Sequence, residues 1–190
     1  MTTLDDLKGG AVQYRAASVE DLDTANRTLL IRAAPYEVEA DIGGGITEVF
    51  TRGTFARAAK APHRLGLWAD HGGPLAGRAI EAEDRPDGFY MRAKVSDTTA
   101  GRDLLTQVED GTLKDASIEF TALRDFCNVR DMGGGRLHVR HKRAVCRGAA
   151  IVFEGAYGDQ ASVVEVREAE RERAVEAARL WLIEYSRRQF

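Results

Sequence analysis

His71 is the first residue of this 190-residue chain whose type and position suit catalysis near neutral pH. It follows the apolar segment 65–69 and precedes the glycine turn at 72–73. A histidine at a strand end, beside permissive backbone, is well placed to act as a general base. A solvent-exposed turn histidine would give the same pattern, so the residue type alone leaves both interpretations open.

Ser117 is the second such residue, because it lies where a predicted helix ends and a predicted strand begins. A hydroxyl nucleophile needs an adjacent base to take its proton and donors to hold the oxyanion. Serine is also common wherever a chain enters a sheet. Taken alone, Ser117 is therefore better explained as a structural residue.

A zinc site could be built from Cys127, His138, His141 and Cys146, which are separated by ten, two and four residues. This spacing lacks the close cysteine pair of common structural zinc sites. The four residues more readily flank a hairpin whose tip is 132–136. The sequence contains no G-x-G-x-x-G, Walker, G-x-S-x-G or H-E-x-x-H motif, so no nucleotide cofactor is predicted.

Short apolar segments bounded by glycine and turn residues must position these side chains. Strands are predicted at 28–33, 88–95, 116–123 and 149–153, and the segment 88–95 alternates apolar and polar residues with the period of a half-buried strand. Helices are predicted at 52–60 and 99–110, the second capped by Thr98 or Thr99 and ended by Gly111. Together these elements predict an α+β fold built on an antiparallel sheet or barrel.

The last 26 residues differ from the rest of the chain, since 165–190 contains six acids, six bases and no glycine or proline. Its apolar residues recur at helical spacing. We expect a domain at 11–164 followed by a charged amphipathic helix at 165–190. That helix would pack on the domain, or serve in self-association or attachment to a partner.

Composition excludes several functional classes. The formal net charge is −3 and the pI is about 5.9, which argues against a nucleic-acid binder that acts through a basic field. Two cysteines cannot form a disulfide framework, and no apolar run is long enough to cross a bilayer. A soluble intracellular domain without a membrane role is predicted.

Taken in order, four segments resemble the prohead maturation proteases of tailed phages with HK97-type capsids. They lie within 46–55, 67–78, 96–120 and 148–157, and the likeness covers about residues 28–164. The second is similar to the family's "L-x-x-H-D…P-x-G-R", although Asp70 precedes the histidine here. The third is similar to "D-T-x-x-G-R-D…S-x-G-F", with Glu119 in place of the glycine.

This resemblance implies a serine peptidase with a small, mostly antiparallel β-barrel flanked by helices, as in herpesvirus assemblins. Ser117 would be the nucleophile and His71 the general base. His141 would be the third member, since the glutamate that the family often carries before its last segment is missing. A Ser-His dyad is the alternative. Arg147 and Gly148 would form the oxyanion site, and no cofactor is implied.

The implied task is to cut the scaffold segment from the major capsid protein inside the procapsid, assembled in the bacterial cytoplasm, and then to cut the protease itself. Assemblin-like enzymes are switched on by self-association, so a homo-oligomer is expected. The rival hypothesis is a protease-like scaffold or internal capsid assembly protein without activity, which the missing glutamate and Glu119 both favour. A zinc-stabilised binding domain is a weaker alternative.

Overall fold

The computed structural model describes residues 12–42 and 45–153. Within them the chain forms a closed seven-stranded barrel and a separate four-stranded sheet. The barrel strands are β1 Gln13–Asp23, β2 Thr28–Pro35, β5 Gly66–Ala69, β6 Leu75–Arg85, β7 Gly88–Val95, β8 Asp115–Ala122 and β11 Ala144–Val152. The smaller sheet consists of β3 Ala40–Asp41, β4 Ile46–Phe50, β9 Cys127–Gly133 and β10 Arg136–His141.

The barrel closes in the order β1-β2-β7-β6-β5-β11-β8. Six of its seven pairings are antiparallel, and β5 and β11 run parallel. Its interior is filled by alternate residues, as β7 illustrates: Phe89, Met91, Ala93 and Val95 are buried, whereas Lys94 is exposed. The predicted mostly antiparallel barrel is confirmed, whereas the predicted alternation of this strand holds only in part, because Tyr90 on the other face is also buried, at 8% exposure.

Two short helices lie outside the barrel wall. Helix α1 spans Ala56–Ala59, shorter than the predicted 52–60, because Gly53 has a φ of +81° and interrupts the helical backbone before it. Helix α2 spans Thr99–Glu109, and the hydroxyl of Thr98 accepts a hydrogen bond from the backbone of Gly101. Gly111, at a φ of +80°, follows its end as predicted.

The smaller sheet has the order β3-β4-β10-β9. Strands β9 and β10 form the predicted hairpin, with Gly134 and Gly135 at its tip in left-handed conformations. Strand β4 pairs with β10 in parallel, which places Phe50 beside His141. The predicted helix at 165–190 lies outside the described residues. None of the helices within 12–42 and 45–153 is long and apolar enough to span a bilayer.

Candidate active site

Ser117 lies near the start of β8, a strand that is paired on both sides. Its partners in register are Ala16 of β1 and Ala150 of β11. Ile118 is fully buried in the barrel core. Because side chains alternate along a strand, Ser117 and Glu119 lie on the face of β8 opposite to Ile118. Their Cα atoms are about 7 Å apart, the rise of two strand residues.

The hydroxyl of Ser117 is engaged with the neighbouring strand. Its Oγ donates a hydrogen bond to the main-chain oxygen of Arg15 at 3.0 Å, and the residue is 2% exposed. To attack a substrate, this hydroxyl would have to leave the Arg15 carbonyl and donate to a base instead. Catalytic hydrogen bonds often form only once the substrate is bound.

His71 is positioned by a sharp turn at the end of β5. The backbone amide of Asp70 donates to the carbonyl of Ile151 on β11, and Asp70 then adopts a left-handed φ of +69°. The carboxylate of Asp70 accepts a hydrogen bond from the backbone amide of His71 at 2.7 Å. Gly72 continues the turn with a φ of +70°. The turn places the exposed His71 beyond the end of β5.

The turn brings His71 to the strand that carries the serine. Its Nδ1 lies 3.8 Å from Oε1 of Glu119, within ion-pair distance. Glu119 is 6% exposed, and burial raises the pKa of its carboxyl, although the charge of Arg147 acts to lower it. A serine, a histidine and a carboxylate therefore lie on one side of β8, with Glu119 contacting the histidine.

Arg147 and Gly148 form a bulge in β11 directly beside this group. The register places both Cys146 and Gly148 opposite consecutive residues of β8, so Arg147 is the extra residue. Gly148 has a φ of +145°, and a Cβ there would lie 2.0 Å from the carbonyl oxygen of Gly66. Only glycine fits this position, and the bulge leaves Arg147 outside the residue-by-residue register of β11 with β8 next to Glu119.

His141 is placed in a different environment, a buried polar network between the two sheets. Its Nε2 lies 2.6 Å from Oε1 of Glu48, and its Nδ1 lies 3.1 Å from Sγ of Cys127. The guanidinium of Arg15 binds the same Glu48 carboxylate. Cys127 in turn donates to the carbonyl of Leu123. Both ring nitrogens of His141 thus have partners other than Ser117 and His71.

The contacts within this network shift the pKa values of His141 and Glu48 in opposite directions. Burial acts to lower the pKa of His141, but its bonds to Cys127 and Glu48 outweigh this and raise the pKa to about 9. Burial likewise acts to raise the pKa of Glu48, but Arg15 and His141 together lower it to about 2. Both shifts favour an imidazolium at His141 and a carboxylate at Glu48 at neutral pH.

The residues considered for zinc are not gathered in one place. His138 contacts Glu39 at 3.0 Å on the surface, whereas His141 is buried beside Cys127. Cys146 belongs to the barrel strand β11, where burial raises the pKa of its thiol to about 12. Within residues 12–42 and 45–153, no three His, Cys, Asp or Glu side chains converge as metal ligands.

Sequence reasoning missed two acidic residues of this region. Glu119 stands where the family pattern has a glycine, and this difference alone gives it no role. It lies two residues after Ser117, however, and this spacing places both side chains on one face of a strand. Glu48 gave no comparable signal, because its partner His141 is 93 residues away.

Comparisons with known proteins bear on the fold and the family of the chain. The family model described as caudovirus prohead serine protease matches residues 16–173. The solved structure of the bacteriophage T4 capsid assembly protease gp21 is similar, with a TM-score of 0.52 at 12% sequence identity, covering 75% of this chain and 97% of that chain. Among curated protein sequences no relative matches. At this identity the T4 structure supports the barrel fold, and the family model decides the membership: the chain belongs to the caudovirus prohead serine proteases.

Proposed function

We propose that this chain is an active serine endopeptidase of capsid maturation, with Ser117 as nucleophile and His71 as general base. The observation that supports it best is the 3.8 Å contact between His71 and Glu119, on the strand that carries Ser117. A serine nucleophile requires a base, and the base requires a group that fixes its orientation. These three residue types are present on one side of β8.

In the proposed reaction, Ser117 Oγ attacks the scissile carbonyl carbon and His71 takes its proton at Nε2, since Nδ1 faces Glu119. The resulting imidazolium donates that proton to the leaving amine, and water then hydrolyses the acyl-enzyme by the same steps. Glu119 holds the imidazole and stabilises its charged form. Backbone amides at Arg147 and Gly148 would bind the oxyanion.

Glu119 replaces His141 in this proposal as the partner of the base. His141 uses both ring nitrogens on Cys127 and Glu48 of its own small sheet, so its role is to hold Glu48 where Arg15 of the barrel strand β1 binds it. Glu119→Gln keeps the shape of the side chain and removes its charge. We expect kcat to fall about a hundredfold with KM unchanged and with an altered pH–rate profile, and partial recovery with Glu119→Asp.

The proposed substrate is the scaffold segment of the major capsid protein inside the procapsid, within the bacterial cytoplasm, followed by the protease itself. Self-association of the chain would restrict activity to the assembling shell. The test is co-expression of Ser117→Ala with the capsid protein, followed by gel analysis of scaffold cleavage. Ser96→Ala, at an exposed serine outside the site, is the control and should cleave normally. Continued cleavage by Ser117→Ala would reject the nucleophile assignment.

A second function, an inactive protease-like assembly protein, is favoured by one observation. The Ser117 hydroxyl is buried and donates to the Arg15 carbonyl instead of to a base. A fluorophosphonate probe separates the two functions. Labelling that requires both Ser117 and His71 supports the peptidase, whereas no labelling of the native chain supports the assembly protein.

A further inference from the structure

A groove of about 800 Å³ runs along the barrel wall between helix α1 and the strands β5, β6 and β11. Among the described residues, no aspartate or glutamate lines it. Its walls instead contain six basic residues, namely Arg57, His63, Arg64, Arg78, Arg143 and Arg147. We refer to this surface as the arginine groove.

Ion pairing distinguishes the arginines of this groove from most arginines elsewhere among the described residues. Seven arginines elsewhere form ion pairs with Asp or Glu side chains: Arg15, Arg27, Arg32, Arg85, Arg92, Arg102 and Arg140. Among the described residues, no groove arginine forms one, and Arg143 packs over the ring of Phe126 at 4.3 Å. The groove therefore has a concentrated positive charge with no ion pair among the described residues, although the charge of Arg147 also acts on the carboxyl of Glu119.

The groove is also continuous with the wall that carries the proposed nucleophile. Trp68 of β5 lines it and pairs in register with Ala150 of β11, which pairs with Ser117 of β8. Leu75 and Val145, which are 59% and 48% exposed, add apolar surface to its walls. A ligand in the groove would thus lie two strands away from Ser117.

We propose that the arginine groove binds an acidic peptide segment and so selects Asp- and Glu-rich substrates for the site at Ser117. Guanidinium groups bind carboxylates through charge-assisted, often bidentate hydrogen bonds. A concave groove with apolar side chains fits an extended peptide, and its continuity with the catalytic strand favours a peptide over a nucleic acid. The inference rests on the proposed peptidase function for calling that peptide a substrate.

Binding is tested in the full chain carrying Ser117→Ala, so that the measurement does not depend on cleavage. Fluorescence anisotropy compares a labelled Glu/Ala peptide with a Gln/Ala peptide of equal length and with a single-stranded oligonucleotide. We expect preferential binding of the Glu/Ala peptide that weakens with added salt. The combined variant Arg57→Gln, Arg64→Gln and Arg78→Gln should weaken it about tenfold.

The control removes three exposed charges outside the groove through Arg130→Gln, Arg136→Gln and Lys142→Gln, and should leave affinity unchanged. Equal affinity for the Gln/Ala peptide, tighter binding of the oligonucleotide, or equal loss in both combined variants would each overturn the inference. None of these outcomes depends on whether Ser117 is catalytic, so failure of this inference is separable from failure of the proposed peptidase function.

Discussion

Replacement of His141 by glutamine tests whether its buried pair with Glu48, on the neighbouring strand β4, stabilises the small sheet where Arg15 of the barrel binds it. Glutamine remains polar but cannot take the positive charge of the imidazolium. His141 is 2% exposed and Glu48 4% exposed, so neither charge is screened by solvent. Arg15 links Glu48 to β1, the strand whose carbonyl holds the Ser117 hydroxyl. The variant therefore perturbs the small sheet directly, and the barrel strand beside the candidate site through Glu48 and Arg15.

The magnitude follows from the pKa of His141. That pKa rises from the ordinary 6.5 to about 9 in the fold. A rise of about 2.5 pH units corresponds to about 3 kcal/mol of differential stabilisation of the charged form. Breaking one side of a buried ion pair costs about 3–5 kcal/mol in general. We expect His141→Gln to lower the free energy of unfolding by about 3 kcal/mol at pH 6.

The sign of the pH dependence is set by the same shift. Because the folded pKa is raised, the contribution of His141 is fully present below about pH 6.5 and is lost as the pH rises through about 9. The pKa of Glu48 is instead lowered, from 4.5 to about 2, so its contribution is present above about pH 4.5 and is lost as the pH falls through about 2. The pair therefore stabilises the fold most between about pH 4.5 and about pH 6.5.

The assay is urea denaturation of the wild type and the variant at pH 6 and pH 10. The difference between the two proteins should be about 3 kcal/mol at pH 6 and much smaller at pH 10. His138→Gln on the same strand is the control, and it should change stability by no more than about 0.5 kcal/mol, because its Glu39 partner is on the surface. Equal stability of His141→Gln and the wild type at pH 6, together with loss of peptidase activity, would refute this reasoning and favour a catalytic His141.

Two further predictions concern backbone positions. Gly148→Ala should destabilise the protein by more than about 2 kcal/mol in urea denaturation, because its Cβ would lie 2.0 Å from the Gly66 carbonyl oxygen, whereas Gly134→Ala, with nothing within 4 Å, should cost about 1 kcal/mol. Equal losses would show that the close approach is relieved by movement. Thr98→Ala removes the helix cap, so it should lower the free energy of unfolding by about 1 kcal/mol and with it the thermal midpoint, whereas Thr99→Ala should not. A lower midpoint for Thr99→Ala than for Thr98→Ala would assign the cap to Thr99.

Local patterns were sufficient to predict the elements that depend on local physics. The alternation at 88–95 predicts β7 because one face of that strand is buried in a single core. Thr98 and Gly111 predict the two ends of α2. The threonine accepts a hydrogen bond from a backbone amide of the first turn, and the glycine adopts the left-handed conformation that ends the helix. Glycines predict the hairpin tip at 134–135 for the same reason.

Contacts between distant parts of the chain were not predictable in this way. The partner of His141 is Glu48, on a strand whose parallel pairing with β10 no local pattern specifies. His71 meets Glu119 only because β5, β11 and β8 are adjacent in the barrel and Asp70 turns the chain back. These side chains are brought together by sheet order, and sheet order is a property of the whole fold.

The chain departs from the family pattern at two positions, and the order of the barrel strands relates one departure to the other. The glutamate expected before the last family segment is missing, and Glu119 occupies the position of a family glycine; each departure by itself favours an inactive protein. The structure places the Glu119 carboxylate 3.8 Å from His71, so the second departure supplies the proposed base with an acidic partner in place of the missing glutamate. A carboxylate two residues beyond the nucleophile shares its strand face by necessity. The same substitution that weakens the sequence likeness thus supports the proposed catalytic group.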